Sequence, residues 1–414
     1  MAGTTIRTYQ LKNGLSLVSE AIPEARAAAF QLMTPAGALT EPAETAGGSS
    51  VLENICYRGA GSRDARQISD ALDELGIQRG GGADLETTTF AGALLADDLD
   101  EALSIYADVV RRPTIPPDQL EGARQLALQR LESIKDNPTQ QLFIELSRIY
   151  FPGPHGRSPL GSRQGIEAIT VQSLREDHRR RYVPDGSILG VAGRFDWDRL
   201  IETTERLFGD WEGASPPAPA PDSSGREHYK HIQEQSAQEQ IGLAWPEVTA
   251  EHPDFYASRV AIQVLSGGMG ARLFTEVREK RGLVYSVAAF PRTVRGEGLA
   301  LAYAGTTPER RQECLDVLIG ELRRLPEGIT EEELARARTG LLSSQVMQGE
   351  SCSARAAAIT RDQFTLGRIR PLDEVRAGIE QVTTDSVHAH LQRFPPADFT
   401  IVTLGPEPVE VKQV

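Results

Sequence analysis

Four histidines, one glycine-rich loop and one basic run are the residues whose types and spacing could do chemistry. His228-x-x-His231 and His388-x-His390 are imidazole pairs at spacings that could share a metal. No third ligand lies near either pair in the sequence. Histidines beside a linker or on a C-terminal helix are expected to sit exposed. Gly267-Gly268-Met269-Gly270 looks like a phosphate cradle but lacks the Gly-Lys-Ser/Thr ending. It is expected to be a tight loop, not a nucleotide site. Arg278-Glu279-Lys280-Arg281, followed by Tyr285, reads from spacing alone as a solvated charge run leading to a core tyrosine on a strand. Cys56, Cys314 and Cys352 are few, odd in number and far apart. They form no disulfide framework or Cys-based metal site, and they suit a reducing, cytoplasmic setting.

The bulk numbers narrow the field. A chain of 414 residues is too long for one ordinary core and implies two or three domains. Its apolar content of 40% and charged content of 25% are those of a soluble globular protein. A formal net charge of −14 argues against nucleic acid as a main partner, because phosphate binding needs a basic face. Residues Met1 to Gln10 are polar, which predicts no signal peptide, and no apolar run approaches the roughly 20 residues of a membrane span. No membrane partner is expected.

The elements that must position any site come in two copies. Gly165-Ile166-Glu167-Ala168-Ile169-Thr170 recurs as Gly378-Ile379-Glu380-Gln381-Val382-Thr383, and Arg181-Tyr182-Val183-Pro184 as Arg393-Phe394-Pro395-Pro396. Each copy then runs into an apolar stretch ending in glycine, at Gly193 and Gly405. Upstream, Glu101 to Leu103 matches Glu313 to Leu315, Arg111-Arg112 matches Arg323-Arg324, and Leu120 to Arg124 matches Leu334 to Arg338. One offset, close to 212 residues, relates all of them in the same order, which is the signature of an internal duplication. The Pro/Ser/Gly stretch between the copies is a semi-extended linker at 214–225, so the expected domains are 1–213 and 226–414.

Within the first copy, Leu15 to Glu20, Ala27 to Thr34 and Thr87 to Leu94 read as strands. Ser49 to Tyr57, Ala65 to Leu75 and Leu99 to Arg111 read as helices. Pro116-Pro117 opens a long helix that runs to about Lys135 and stops near Pro138. Strands and helices mix without strict alternation, so the expected class is α+β: two homologous domains, each a mostly antiparallel sheet with helices.

Several segments resemble the pitrilysin / mitochondrial-processing-peptidase (M16) family of zinc peptidases, with its LuxS/processing-peptidase-like metallopeptidase fold. They are Leu11-Lys12-Asn13-Gly14-Leu15, Pro35-Ala36-Gly37-Ala38, His155 to Gly161, Tyr182-Val183-Pro184 and Val191 to Asp196. The segment Gly270 to Ser286 carries the resemblance most specifically, and the likeness extends over nearly the whole chain. Active members of that family hold zinc with His-x-x-Glu-His on the first helix. Two residues four apart share a helix face there, and a further Glu some 75 residues on completes the protein ligands.

This chain departs from the motif at each ligand. Ser50 and Asn54 stand at the two histidine positions, and Gln129, within about one residue, stands at the third ligand. Glu53, the family's general base, remains. A hydroxyl and two amides are poor zinc donors, and one carboxylate without a metal cannot make hydroxide at neutral pH. Ser50, Glu53, Asn54 and Gln129 are therefore expected to be vestigial, with no metal in this chain.

A second feature of the family is intact. The resemblance assigns Arg278 and Tyr285 to substrate: the Arg to peptide carbonyls, the Tyr to the oxyanion. Together these imply a subunit that is inactive alone and gives Arg278 and Tyr285 to a homologous, zinc-holding partner bearing His-x-x-Glu-His, with peptides as substrates. The isolated chain could pair with itself. The competing reading is a structural homologue without a peptidase role. Gly80-Gly81-Gly82 precedes a Thr-rich strand; the resemblance implies that the corresponding strand edge pairs with the substrate backbone in active relatives, and three glycines would weaken such an edge.

Overall fold

A computed structural model describes residues 5–221, 225–294 and 296–411. The first copy contains β1 (Thr5–Gln10), β2 (Ser16–Ala21), β3 (Ala27–Thr34), α1 (Gly48–Cys56), the short β4 (Gly59–Ala60) and β5 (Arg63–Asp64), and α2 (Ala65–Glu74). It continues through β6 (Gln78–Ala83), β7 (Thr88–Leu95), α3 (Leu99–Arg111), α4 (Leu120–Glu132), α5 (Pro138–Tyr150), α6 (Arg163–Ala168), α7 (Val171–Arg181), β8 (Ile188–Gly193) and α8 (Trp197–Phe208). The second copy contains β9 (Tyr229–Gln233), β10 (Glu239–Glu247), α9 (Phe255–Ser266), β11 (Val284–Val294), β12 (Glu297–Thr306) and α10 (Arg311–Arg324). After these come α11 (Glu331–Gly349), α12 (Cys352–Leu366), α13 (Leu372–Glu380), α14 (Thr384–Arg393) and β13 (Thr400–Gly405).

The duplication is visible in the sheets. One has the order β1-β2-β8-β3-β7-β6 and the other β11-β12-β10-β13-β9. Read from the opposite edge, the second repeats the first without β1. Each has one parallel pair, β2 with β8 and β9 with β13, and is otherwise antiparallel. The fold is α+β, as the mixed pattern predicts. The recurring Gly-Ile-Glu segment ends each time in a threonine that starts a helix. Thr170 accepts from the Ser173 N–H and Thr383 from the Ser386 N–H, both at 3.0 Å, and both form capping boxes. The repeated sequence is thus the entry to α7 and to α14.

The chain forms two compact units, and each takes one segment from the other half of the sequence. The first comprises 1–133, 157–219 and 348–371, the second 134–156, 220–347 and 372–414. The donated helices, α12 and α5, occupy equivalent places in the repeat. In the first unit the main core of apolar side chains includes Leu17, Phe30, Val51, Ile55, Phe90, Tyr106 and Leu189. The sheet's other face receives α12, where Ile359 meets Val18 and Ile188, and Ala356 meets Ala29 and Ala192. Gly190 permits that approach: a Cβ there would lie 1.9 Å from the Thr360 hydroxyl oxygen. Arg355 on α12 donates to Glu20 on β2 at 2.8 Å, with both side chains buried. In the second unit α5 lies on β10, with Leu142 against Gly242, and Glu145 pairs with Lys230 on β9.

The sequence reading ends a helix near Pro138. α4 does end before it, through a 3-10 turn at Ser133–Asp136. Pro138 then opens α5, with Asn137 accepting from the Gln140 N–H at 3.1 Å. Gly80 to Gly82 do not merely precede a strand but lie within β6, the edge strand of the first sheet. Residues 214–221 of the linker carry no regular structure, and 222–224 lie outside the described residues.

One buried acid is expected to make the stability of the second unit depend on pH. Glu239 is fully buried at the start of β10, and neither carboxylate oxygen has a hydrogen-bond partner among the described residues. A Cβ at Gly405 would lie 1.8 Å from it, so only glycine fits opposite. Burial pushes the carboxyl up to about 7, with Arg311 pulling it down and Glu407 pushing it up. A raised value means that the folded state favours the neutral acid. Stability is full below the ordinary carboxyl range and is lost as pH rises toward about 7. Glu239→Gln is expected to gain on the order of 2 kcal/mol over the native chain at pH 8, with the gap closing toward pH 5. Urea midpoints of both proteins across that range check it; parallel profiles would contradict it.

Candidate functional site: a metal-less helix and an arginine–tyrosine segment

The first place to test is α1 in the first unit, where the zinc motif would lie. Glu41 holds the start of this helix. Its carboxylate accepts from the Gly47 and Ser49 N–H groups, each at 2.9 Å, and from the Ser49 hydroxyl at 3.0 Å. Negative charge at a helix N-terminus is favourable there. The fully buried Arg181 donates to the Gly37 carbonyl at 2.8 Å and the Ser49 hydroxyl at 3.0 Å, and pairs with Asp177. Gly47 turns into the helix at φ +103°, where a Cβ would press on Ile166. The sequence reading did not find this network, because Glu41, Asp177 and Arg181 meet only in the fold.

The motif residues themselves do not make a metal site. Ser50 is buried, while Glu53 and Asn54 are half-buried. The Asn54 amide oxygen is taken by the Arg58 Nε at 2.9 Å. That guanidinium reaches Gln119 at 3.5 Å and lies over Gly122, where a Cβ would be 2.9 Å from it. Gln129 on α4 is exposed, and it is the neighbouring Arg130 whose charge acts on Glu53. Burial pushes the Glu53 carboxyl above its ordinary value, against that pull. One guanidinium, Arg58, therefore bonds into these residues and the charge of a second, Arg130, reaches Glu53, beside a hydroxyl and two amides. This donor set does not fit a zinc ion. Among the described residues no group of three or more His, Cys, Asp or Glu side chains could hold a metal.

The histidine pairs do not converge either. His228 and His388 are exposed. His231 is half-buried, with Nδ1 2.9 Å from the Thr403 hydroxyl. His390, expected to be exposed, is fully buried instead. Its Nε2 lies 3.3 Å from Glu247 and its Nδ1 3.5 Å from Asp254, which Arg393 also pairs. An imidazole between two carboxylates joins α14 to the end of β10 and the start of α9. The two-residue spacing hid this, because it sends His388 and His390 to opposite sides of one helix.

In the second unit the Gly267–Gly270 loop ends α9 and leads toward a π-helical turn, Phe274–Glu279. The charge run divides there. Lys280 and Arg281 both bond Glu276, at 2.6 and 3.0 Å, and hold its carboxyl below the ordinary value. Arg278 is exposed and forms no salt bridge among the described residues; its guanidinium lies 4.9 Å from the centre of the Phe274 ring. Seven residues on, the ladder between β11 and β12 slips. Val284 faces Thr306 and Ser286 faces Gly305, leaving Tyr285 as the extra residue of a bulge. Tyr285 is 64% exposed, which excludes the core tyrosine that spacing alone suggests. The segment presents one uncommitted cation and one projecting phenol. A planar donor fork suits peptide carbonyls and a phenol O–H suits a developing oxyanion.

The fold is a duplicated mixed-sheet domain, and the likeness to known proteins makes the chain a zinc-protease homologue of the inactive type. Two family models match the chain: Insulinase (Peptidase family M16) over residues 16–161, and Peptidase M16 inactive domain over residues 168–341. The chain belongs to peptidase family M16. An uncharacterized zinc protease of Mycobacterium bovis is 29% identical, across 97% of this chain and 93% of its own length. One from Rickettsia felis is 26% identical, across 96% and 97%. Among solved structures, the peptidase M16 inactive domain from Pseudomonas fluorescens shares the fold at a TM-score of 0.89 and 23% identity, covering 99% of this chain and all of that one. A chain of complex III from Candida albicans shares it at 0.84 and 18%, covering 97% and 96%.

Proposed function

We propose that this chain is the non-catalytic, substrate-binding subunit of a two-chain zinc metallopeptidase of family M16. It supplies Arg278 and Tyr285 to a homologous cytoplasmic partner that holds zinc on an intact His-x-x-Glu-His helix. The observation that carries this reading is the state of the Arg–Tyr segment. Its neighbouring cations are neutralised by Glu276 while Arg278 has no carboxylate partner among the described residues, and a bulge turns Tyr285 outward. A purely structural surface has no need of either arrangement. In the proposed complex the partner's His-x-x-Glu-His helix would hold the zinc, which would supply a water acidified for attack. Arg278 holds the peptide backbone by donating to its carbonyls, and Tyr285 donates to the oxygen that gains charge as the tetrahedral intermediate forms. The Arg58 bond to Asn54 and the charge of Arg130 on Glu53 support the reading that the zinc belongs to the partner.

The scaffold reading has one observation in its favour, the shared fold with a complex III chain. Mixing decides between them. The zinc-bearing homologue is expected to cleave a broad peptide library weakly alone and strongly after this chain is added in equal amount. This chain alone is expected to cleave nothing. A homologue whose turnover is unchanged by the addition would remove the subunit role.

A further inference from the structure

We infer that Phe274 is a positioning residue for Arg278, its ring serving as the platform that holds the guanidinium ready for a peptide carbonyl. This inference rests on the substrate-binding reading proposed above and adds to it a residue that fixes how the arginine is presented.

Three observations support it. First, the guanidinium carbon lies 4.9 Å from the ring centre, within the range of a cation–π contact. Second, Phe274 is not part of the second unit's hydrophobic core. Leu273 and Val277 on the same turn are fully buried members of that core, whereas Phe274 is only half-buried. Outside that core and half-buried, the ring has a face that lies under the Arg278 guanidinium. Third, the turn is π-helical and its exit is fixed by backbone bonds. Gly282 N–H donates to the Arg278 carbonyl at 2.9 Å and Leu283 N–H to the Val277 carbonyl at 3.0 Å. Single π turns occur frequently at functional sites, and this one stacks residues 274 and 278 while Glu276 engages Lys280 and Arg281.

The ring does here what a carboxylate could not. A salt bridge would fix Arg278 but occupy its N–H donors and cancel its charge. An aromatic face attracts the cation and leaves the donor edge free. A long side chain that would otherwise sample many rotamers is presented in fewer, so less entropy is lost when substrate binds.

The test uses the reconstituted pair of this chain and its zinc-bearing homologue. Phe274→Leu is expected to raise KM about two- to five-fold with kcat unchanged, the change that follows from losing an exposed cation–π contact. Phe274→Tyr keeps the aromatic face and is expected to restore the native KM. In an Arg278→Ala background, Phe274→Leu is expected to add nothing. If Arg278→Ala raises KM but Phe274→Leu does not, or if the two effects multiply, Phe274 does not act through the arginine and the inference falls while the subunit role stands. If Arg278→Ala itself leaves KM at the native value, the substrate-binding reading falls and this inference with it.

Discussion

Tyr285→Phe in the reconstituted pair should lower kcat by on the order of 10²-fold or more while KM changes little. The bulge is what sets this residue apart. Regular pairing would give each β11 residue a partner on β12; the slip between Val284 and Ser286 leaves Tyr285 out, and the side chain stands 64% exposed beside the π-helical turn. Its phenol O–H is the only polar atom that the substitution removes, so the ring and the strand remain. A donor to an oxyanion is worth more in the transition state than in the ground state, because the charge it meets develops only there. Arg278→Ala should behave differently. It removes hydrogen bonds to backbone carbonyls that exist in both states, so KM rises and kcat is largely kept. The split between the two variants is the signature of the roles assigned. Steady-state kinetics on a single peptide, with complex formation followed by gel filtration, measures it.

Arg355→Ala should destabilise the first unit by about 3–5 kcal/mol. Arg355 comes from the second half of the sequence, on α12, and its partner Glu20 lies on β2 with 1% of its side chain exposed. Removing the guanidinium leaves a carboxylate buried without a counter-charge. It also loosens the helix that closes this face of the sheet, where Ala356 and Ile359 make the apolar contact. Replacing both partners by apolar residues, Glu20→Met with Arg355→Met, should recover most of the loss, because the cost comes from the unpaired charge more than from the missing pair. Denaturant unfolding of the single and double variants gives the comparison. Equal losses in both would mean that α12 is held by the pair itself.

Much of this was legible in the sequence, and the remainder failed for identifiable reasons. β3 and α3 lie at the spans expected for a strand and a helix, Ala27 to Thr34 and Leu99 to Arg111, and the repeat offset predicted two sheets of one design. The exchange of α5 and α12 was not legible. A helix pattern states that one face is apolar but not whose sheet it covers, and the Leu142–Gly242 and Ala356–Ala192 contacts join residues far apart in the chain. Arg58 and Arg130 were missed because ligand reading looks for donors and passes over the cations beside them. Arg278 and Tyr285 were found through the resemblance of their segment to a family; spacing alone favoured a charge run and a core tyrosine. The bonds of Glu276 and the ring of Phe274 separate Arg278 from Lys280 and Arg281 in the fold. The burial of His390 depends on Glu247 and Asp254 arriving from other elements, which no local spacing records.

The central claim is that this chain lends side chains to a site whose metal lies on another chain. Its most direct test is turnover by the zinc-bearing homologue paired with the Arg278→Ala/Tyr285→Phe double variant, with assembly measured in the same samples. The complex is expected to stay intact while its turnover falls at least 10²-fold, close to that of the homologue alone. An intact complex that still cleaves at the native rate would contradict it and leave the chain a scaffold.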